Sequence, residues 1–179
     1  GGLSSGSRDS EGVPCRTQSI VDSGRLNGEL WSTRDAAKSV AEGKVESAES
    51  TGSASRGGHT SPPLCGCSDL ILSSSAKTLD RDRLIEEMED GYIVHSVMGA
   101  HTANPTSGDF SVTTSTILKV EGGSVVGALS QAGLSGNMAK ALSGKVILGD
   151  ASIRKGSYST GSMHVPDVLL MNGLRINPA

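Results

Sequence analysis

Short runs of alternating apolar and polar positions cover much of the chain, and this alternation is typical of half-buried β-strands. Residues 92–98 alternate in this way, and residues 109–121 form a longer run rich in Val, Thr and Ile, which favour strands. The same criteria predict further strands at 16–21, 26–31, 69–72, 125–129, 145–148 and 167–170. A mainly β protein is therefore expected.

Turn residues separate several of these strands. Segments 22–25 and 121–124 contain glycines, which adopt positive φ angles easily, so the strands that flank each segment are expected to form a hairpin. Asn172 and Gly173 predict a further turn near the end of the chain.

Three segments have the composition of short helices. Residues 33–38 begin with a capping hydroxyl, and residues 138–142 follow the polar segment 135–137, which also suits a helix cap. Residues 78–90 have one apolar face, and Gly91 is expected to end that helix. The predicted fold is α+β and mainly β, with a mixed or antiparallel twisted sheet, or an open barrel, and a few short helices.

The predicted organisation is one domain over residues 1–179, a length that allows a sizeable core. Residues 42–66 are polar, dense in Ser, Gly and Glu, and predicted to form a long mobile loop. Residues 1–7 have a loop-like composition without a starting Met, which predicts that the chain is a fragment of a longer polypeptide.

Charge and composition exclude several classes of function. The net charge is −3, and no block of Lys and Arg stands beside aromatic residues, so direct binding to nucleic acid is not expected. No apolar run approaches the roughly 20 residues of a membrane helix. The three cysteines are too few, and odd in number, for a secreted disulfide framework. These features predict a soluble protein of the reducing cytoplasm.

His59, Cys65 and Cys67 come nearest to a metal-binding cluster. The two cysteines are separated by one residue rather than the two that are usual in structural zinc sites, and no second pair follows. A loop with incidental thiols is therefore the preferred interpretation, and the role of these three residues stays open.

His101, Asp109 and Ser111 are the residue types of a catalytic triad, but they crowd into eleven positions without a strand-to-helix elbow at the serine. The glycine clusters at 122–123, 133–136 and 156–161 lack the order of a phosphate-binding loop. We therefore assign neither a catalytic residue nor a metal ligand to this chain.

The order of several short motifs resembles the C-terminal domain of the TldD/PmbA family. The motifs start with Asp-Ser-Glu-Gly-Val-Pro and end in the closing segment, and they span nearly the whole chain. They lie at residues 9–14, 20–26, 50–52, 91–92, 104–111, 135–137 and 166–176.

The resemblance implies a pair of proteins, one of the TldD type and one of the TldE or PmbA type, that form a peptidase acting on unfolded or extended peptides. It implies zinc in the TldD-type chain, bound by a His-Glu-x-x-x-His helix and a C-terminal-domain cysteine. The helix would precede Gly1, and the segment expected to hold the cysteine, 154–162, contains none. The chain thus resembles the TldE/PmbA-type subunit, itself without the metal.

Segment 107–111, Ser-Gly-Asp-Phe-Ser, is more similar to the TldE/PmbA type than to its metal-binding partner. The residues predicted to bind substrate are Asn104, Ser107, Gly108, Asp109, Phe110 and Ser111. An extended peptide can also pair with an exposed strand edge, and the run 109–120 is the candidate for such an edge, with a central strand as the alternative.

Other functions stay open beside this one. The chain could be a peptide-binding or chaperone-like module without a peptidase partner, a hydrolase with its own nucleophile, or the C-terminal domain of an active metallopeptidase. Its partner is expected to be a TldD-type subunit or further copies of itself. The family is also named for a modulator of DNA gyrase, but acidity and the scarcity of aromatic side chains argue against direct contact with nucleic acid.

Overall fold

The computed structural model describes residues 6–157 and 161–178. Residues 1–5 of the predicted opening loop lie outside the described residues. The chain packs as two compact units, one made of Gly1–Leu72 and Ile153–Val165 and the other of Ser73–Ser152 and Pro166–Ala179. Whether the predicted domain 1–179 folds as one autonomous body stays a prediction. In the described part of the chain, no helix is long and apolar enough to span a membrane.

The first unit contains one helix and several very short strands. Its elements are β1 (Val21–Asp22), β2 (Arg25–Leu26), α1 (Thr33–Ala41), β3 (Ala54–Ser55), β4 (Leu64–Cys65) and β5 (Asp69–Ile71). Strands β1 and β2 form the predicted hairpin, but each has two residues rather than six. Val21 and Leu26 are exposed, so the apolar side chains of this hairpin do not pack into a core that would stabilise longer strands.

The cap of helix α1 lies one residue earlier than predicted, at Ser32 rather than Thr33. The cap is Ser32, whose Oγ accepts a hydrogen bond of 3.1 Å from the backbone N of Asp35 and donates one of 2.7 Å to the Asp35 carboxylate. Thr33 is the first helical residue. Ser32 is buried, and this reciprocal pairing satisfies its hydroxyl group away from water.

The segment predicted to be a mobile loop, residues 42–66, contains a small antiparallel ladder. Strands β3 and β4 pair Ala54 with Cys65 and Ser55 with Leu64, and the Ala54 side chain is buried. The mobility of the segment stays a prediction.

Asp9 ties the segment 9–14 to β3. Its Oδ1 accepts hydrogen bonds of 2.9 Å from the backbone N of Glu11 and of Val13, and its Oδ2 accepts one of 3.0 Å from Ala54. Partial burial acts to raise the pKa of Asp9, but these backbone N–H groups stabilise the carboxylate and hold the pKa below its usual value.

We expect Asp9→Asn to destabilise the protein by about 1–2 kcal/mol at pH 7, because the amide can no longer accept all three bonds. A carboxyl whose native pKa is lowered stabilises the fold fully above its unfolded pKa, near 4, and loses that contribution as the pH falls through the native value. Urea unfolding should therefore show a smaller difference between variant and wild type at pH 3 than at pH 7. Asp22→Asn, on the exposed β1, is the control, and an equal loss at both pH values would contradict this account.

The second unit holds most of the remaining elements. They are α2 (Arg81–Met88), β6 (Gly91–Val94), β7 (Val97–Met98), a 3-10 helix (Ala100–Thr102), β8 (Asp109–Thr114), β9 (Ile117–Glu121), β10 (Ser124–Leu129), β11 (Ala132–Asn137), α3 (Met138–Ser143) and β14 (Leu174–Pro178). The unit boundary falls within the two long strands, β12 (Val146–Ser157) and β13 (Gly161–Leu170).

Strands of this unit form two sheets, with the strand orders β10-β9-β6 and β14-β11-β8-β7, and all neighbouring strands in them are antiparallel. The β9–β10 pair is the hairpin predicted around residues 121–124. A third sheet, β12-β13-β5, pairs β13 with β5 in parallel. The described residues form no closed barrel, and the fold is α+β and mainly β, as predicted.

The prediction of one long strand over 109–120 is wrong. The run is divided into β8 and β9, which lie in different sheets. Val112 and Thr114 are buried two positions apart, whereas the next buried residue, Ile117, follows after three. A strand presents every second residue to one face, so a single strand could not bury all three. The predicted strand 92–98 is likewise divided, into β6 and β7.

Strand β9 has a neighbour on both sides, and β8 has a second neighbour at its last two residues, so the central-strand alternative applies to β9 and to the end of β8 rather than to the whole run. Strand β9 lies between β10 and β6. Strand β8 pairs with β11 along its full length and with β7 at Thr113 and Thr114.

Gly91 has a different role from the predicted one. Helix α2 is capped at its start by Asp80, whose carboxylate accepts a 2.9 Å bond from Arg83 N, and at its end by Glu89, which itself takes the positive φ of 58°. Gly91 opens β6, where a Cβ would lie 2.7 Å from the sulfur of Met88. Gly91 therefore packs against the flexible side chain of Met88 at the start of β6 and does not cap the helix.

Candidate functional site

The predicted substrate-binding residues lie together in a tight loop that leads into β8, and we name residues 104–111 the β8 corner. The side-chain Oδ1 of Asn104 accepts hydrogen bonds from the backbone N of Thr106 (2.9 Å) and Ser107 (3.1 Å). Its backbone O accepts one from Gly108, and its backbone N donates one to Asp109 O, both 2.9 Å long. Asn104 thus organises the whole loop.

Gly108 makes the reversal at the end of this loop possible. Its φ is +77°, a conformation that residues with a Cβ rarely adopt. Its carbonyl accepts a 2.9 Å hydrogen bond from Met138 N, so the loop is joined to the first residue of α3.

The side chains of the β8 corner alternate along the strand. Phe110 is half-buried and has the same parity as the buried Val112, whereas Asp109 and Ser111 are exposed and share the opposite face. Asp109 and Ser111 pair across the ladder with Asn137 and Ser135 of β11. The structure therefore presents a carboxylate and a hydroxyl side by side on an ordered strand end.

Asn137 completes the β8 corner, although it was not among the predicted site residues. Its side-chain Nδ2 donates to Ser107 O (2.8 Å) and to the Asp109 carboxylate (2.7 Å). The sequence did offer a signal for Asn137, which lies in the resemblance motif at 135–137 and directly before a predicted helix. The sequence could not show that Asn137 contacts residues 28 and 30 positions earlier in the chain.

The hydrogen bond from Asn137 is the main cause that lowers the pKa of Asp109, with a smaller contribution from Ser107. Slight burial opposes this effect, and the positive charge of Lys140 on α3 adds to it. The β8 corner thus carries an exposed carboxylate that is ionised at neutral pH.

The described residues contain no assembled triad or metal cluster. Among them, no hydrogen bond joins His101, on the 3-10 helix, to Asp109 or Ser111. Within residues 6–157 and 161–178, no three His, Cys, Asp or Glu side chains are grouped as metal ligands. Part of the segment where the resemblance implied a cysteine, residues 158–160, lies outside the described residues.

His59 is exposed in the segment 42–66, and Cys65 and Cys67 carry free thiols in and just after β4. Partial burial, followed by the negative charge of Asp35, raises the pKa of the Cys65 thiol. A raised pKa disfavours the reactive thiolate, so the described surroundings of Cys65 do not activate its thiol.

Two concave surfaces lie in the second unit away from the β8 corner. One is a shallow groove of about 490 Å³ lined by Asp90, Gly91, Tyr92, Lys119, Val120 and Glu121. The other, of about 130 Å³, lies among apolar side chains of α2, β6 and β13, with Arg81 and Asp167 also in its wall. None of the six predicted site residues lines either surface, so their contact with substrate stays a prediction.

Comparison with known proteins identifies a family for the chain. The family model for the PmbA/TldA metallopeptidase C-terminal domain matches residues 1–176. An uncharacterized protein of Methanocaldococcus jannaschii is 32% identical over 104 residues, which are 58% of this chain and 22% of that protein.

Solved structures show the same fold. TldE from Thermococcus kodakarensis superposes with a TM-score of 0.78 at 24% identity, over 96% of this chain and 36% of that one. A Thermotoga maritima protein described as a candidate modulator of a DNA gyrase superposes with a TM-score of 0.75 at 28% identity, over 97% of this chain and 36% of that one. The chain therefore spans about a third of the length of these solved proteins.

Proposed function

The chain belongs to the PmbA/TldA metallopeptidase C-terminal domain family, and from that premise we propose that it is the C-terminal domain of a TldE/PmbA-like subunit. In this proposal the subunit works beside a TldD-type partner in the cytoplasm, and the assembly cleaves unfolded or extended peptides. The observation that carries the proposal is the family match over residues 1–176. The three free thiols are compatible with a reducing compartment.

We assign the zinc to the partner. A metallopeptidase metal polarises the scissile carbonyl and activates water, and it needs several protein ligands and one open position. The described residues group no such donor set, and this supports placing the zinc in the partner. The role left to this domain is to contact the peptide.

The exposed face of the β8 corner supports that role. Asp109 and Ser111 present hydrogen-bond acceptors on an exposed face of a strand that is paired with β11, and an extended peptide has an N–H group at almost every residue. The same feature would also suit a peptide-binding module without peptidase activity, and a cleavage assay distinguishes the two.

We expect peptide cleavage only when the full-length protein that carries this chain is combined with a TldD-type partner. Chelation should abolish the activity, and Ser111→Ala should keep it within about fivefold, because one lost hydrogen bond costs about 1 kcal/mol. The assay follows hydrolysis of a fluorogenic casein peptide by each protein alone and by the mixture, with Ser96→Ala as the control for an exposed serine in the same unit.

Two outcomes would contradict the proposal. Activity of this protein alone that resists chelators and disappears in Ser111→Ala would indicate a serine hydrolase, since loss of a triad nucleophile lowers turnover by about a millionfold in an enzyme such as subtilisin. Peptide binding without cleavage by any mixture would favour the chaperone-like module.

A further inference from the structure

We propose that Asn137 is the positioning residue of the β8 corner, acting on peptide through Asp109. This inference rests on the proposed function, because it assumes that the β8 corner contacts peptide. It goes beyond that function because the residue that orients the Asp109 carboxylate lies on a different strand, β11, at the point where the chain enters α3.

One amide group joins two elements here. The two Nδ2 hydrogens serve Ser107 O at 2.8 Å and the Asp109 carboxylate at 2.7 Å, and Oδ1 accepts a bond of 3.1 Å from Lys140 N, which caps α3. No other short side chain supplies two donors and an acceptor in this form. Asp has no donor, and Ser has a single hydroxyl hydrogen.

The backbone that carries Asn137 has little room to move. A Cβ on the preceding residue, Gly136, would lie 2.3 Å from Gly173 O, and a Cβ on Gly173 would lie 2.7 Å from Ala141 N. The backbone N of Asn137 also donates to Gly173 O, at 3.3 Å. Close packing at these two glycines therefore constrains the backbone of Asn137, and with it the position of the side-chain amide, relative to α3.

The consequence for Asp109 is a fixed orientation. Because one carboxylate oxygen accepts from Asn137, the side chain of an exposed residue on a strand end loses most of its rotamer freedom. An acceptor that is already oriented loses less entropy when a peptide N–H binds to it. Asn137 should thus lower the KM for peptide without taking part in the chemical step.

The experiment uses the full-length protein with its TldD-type partner and the variants Asn137→Asp and Asn137→Ser. Both replacements are good helix caps, so α3 keeps an acceptor for Lys140 N. Asp supplies no donor to Ser107 and Asp109, and Ser supplies at most one, on a shorter side chain, in place of the two Nδ2 hydrogens. Ser143→Ala removes a hydrogen bond within α3, to Lys140 O, and is the control on the same helix.

The first measurement is hydrogen exchange of the backbone N–H groups of residues 106–109, each of which is hydrogen-bonded within the loop. We expect exchange to rise about tenfold in both variants, and more in Asn137→Asp, where two carboxylates face each other. The double variant Asn137→Asp with Asp109→Asn restores the contact with donor and acceptor reversed, and should recover part of the protection.

The second measurement is steady-state peptide hydrolysis. We expect KM to rise about fivefold to tenfold with kcat within twofold, whereas a loss of folding would lower the active fraction and therefore kcat. If exchange in residues 106–109 is unchanged, Asn137 does not hold the β8 corner in place. If exchange rises but KM is unchanged, Asn137 orders the loop without affecting peptide binding. If no mixture cleaves peptide, the proposed function fails. The exchange result alone still decides whether Asn137 holds the β8 corner in place.

Discussion

Gly52→Ala is expected to unfold the first unit or to lower the stability of the protein by at least about 3 kcal/mol. A Cβ on this residue would lie 2.2 Å from Pro14 O and 2.9 Å from Cys15 Cα, both backbone atoms that cannot rotate away. The φ of Gly52 is +71°, which adds about 1–2 kcal/mol for any residue with a Cβ. The measurement is urea unfolding followed by circular dichroism.

Two control glycines separate these causes. Gly43 has a φ of +67° with nothing within 4 Å of a Cβ, so Ala there should cost only the backbone strain. Gly57 has open space around it and no positive φ, and its replacement should change stability by less than about 0.5 kcal/mol. A loss at Gly52 no larger than that at Gly43 would show that the overlap with Pro14 is relieved by a small backbone shift.

Ile117→Ala should destabilise the protein by about 2–5 kcal/mol. Ile117 is fully buried and opens β9, the central strand of its sheet, where it pairs with Val94 of β6 and Leu129 of β10. Removal of its side chain leaves a cavity that the neighbouring strands cannot fill without losing their register. Thermal or urea unfolding gives the change in free energy.

Ile71→Ala is the matched control for this substitution. Ile71 lies at the end of the edge strand β5 and is 60% exposed, so its truncation should change stability by less than about 1 kcal/mol. A similar loss at both positions would mean that Ile71 is covered in the assembled protein.

The sequence by itself determined the class of the fold and the positions of its strongest local signals. The hairpin around residues 121–124 has positive φ at two successive residues, Gly122 and Gly123, and glycine pairs that favour this turn are visible in the sequence. The composition of residues 78–90 and 138–142 placed helices α2 and α3 within a few residues. The ordered short motifs identified the family, which the match over residues 1–176 confirms.

The sequence did not predict strands β11 and β14, and the reason is physical. Strand β11 contains two glycines, which weaken the signal for a strand, and β14 reaches Pro178. Each is stabilised by its ladder: β11 pairs with β8 and β14 over most of its length. Local propensity cannot report a stabilisation that comes from neighbours distant in the chain.

The candidate site divides in the same way. Its local half, the loop in which Asn104 binds the following backbone N–H groups, depends on neighbours in sequence, and the family resemblance had named Asn104 and residues 107–111 together. Its other half depends on Asn137, which reaches Asp109 because β8 and β11 pair in one particular register. Register is set by which side chains the two strands bury together, and therefore only the tertiary structure decided which residue orients the Asp109 carboxylate.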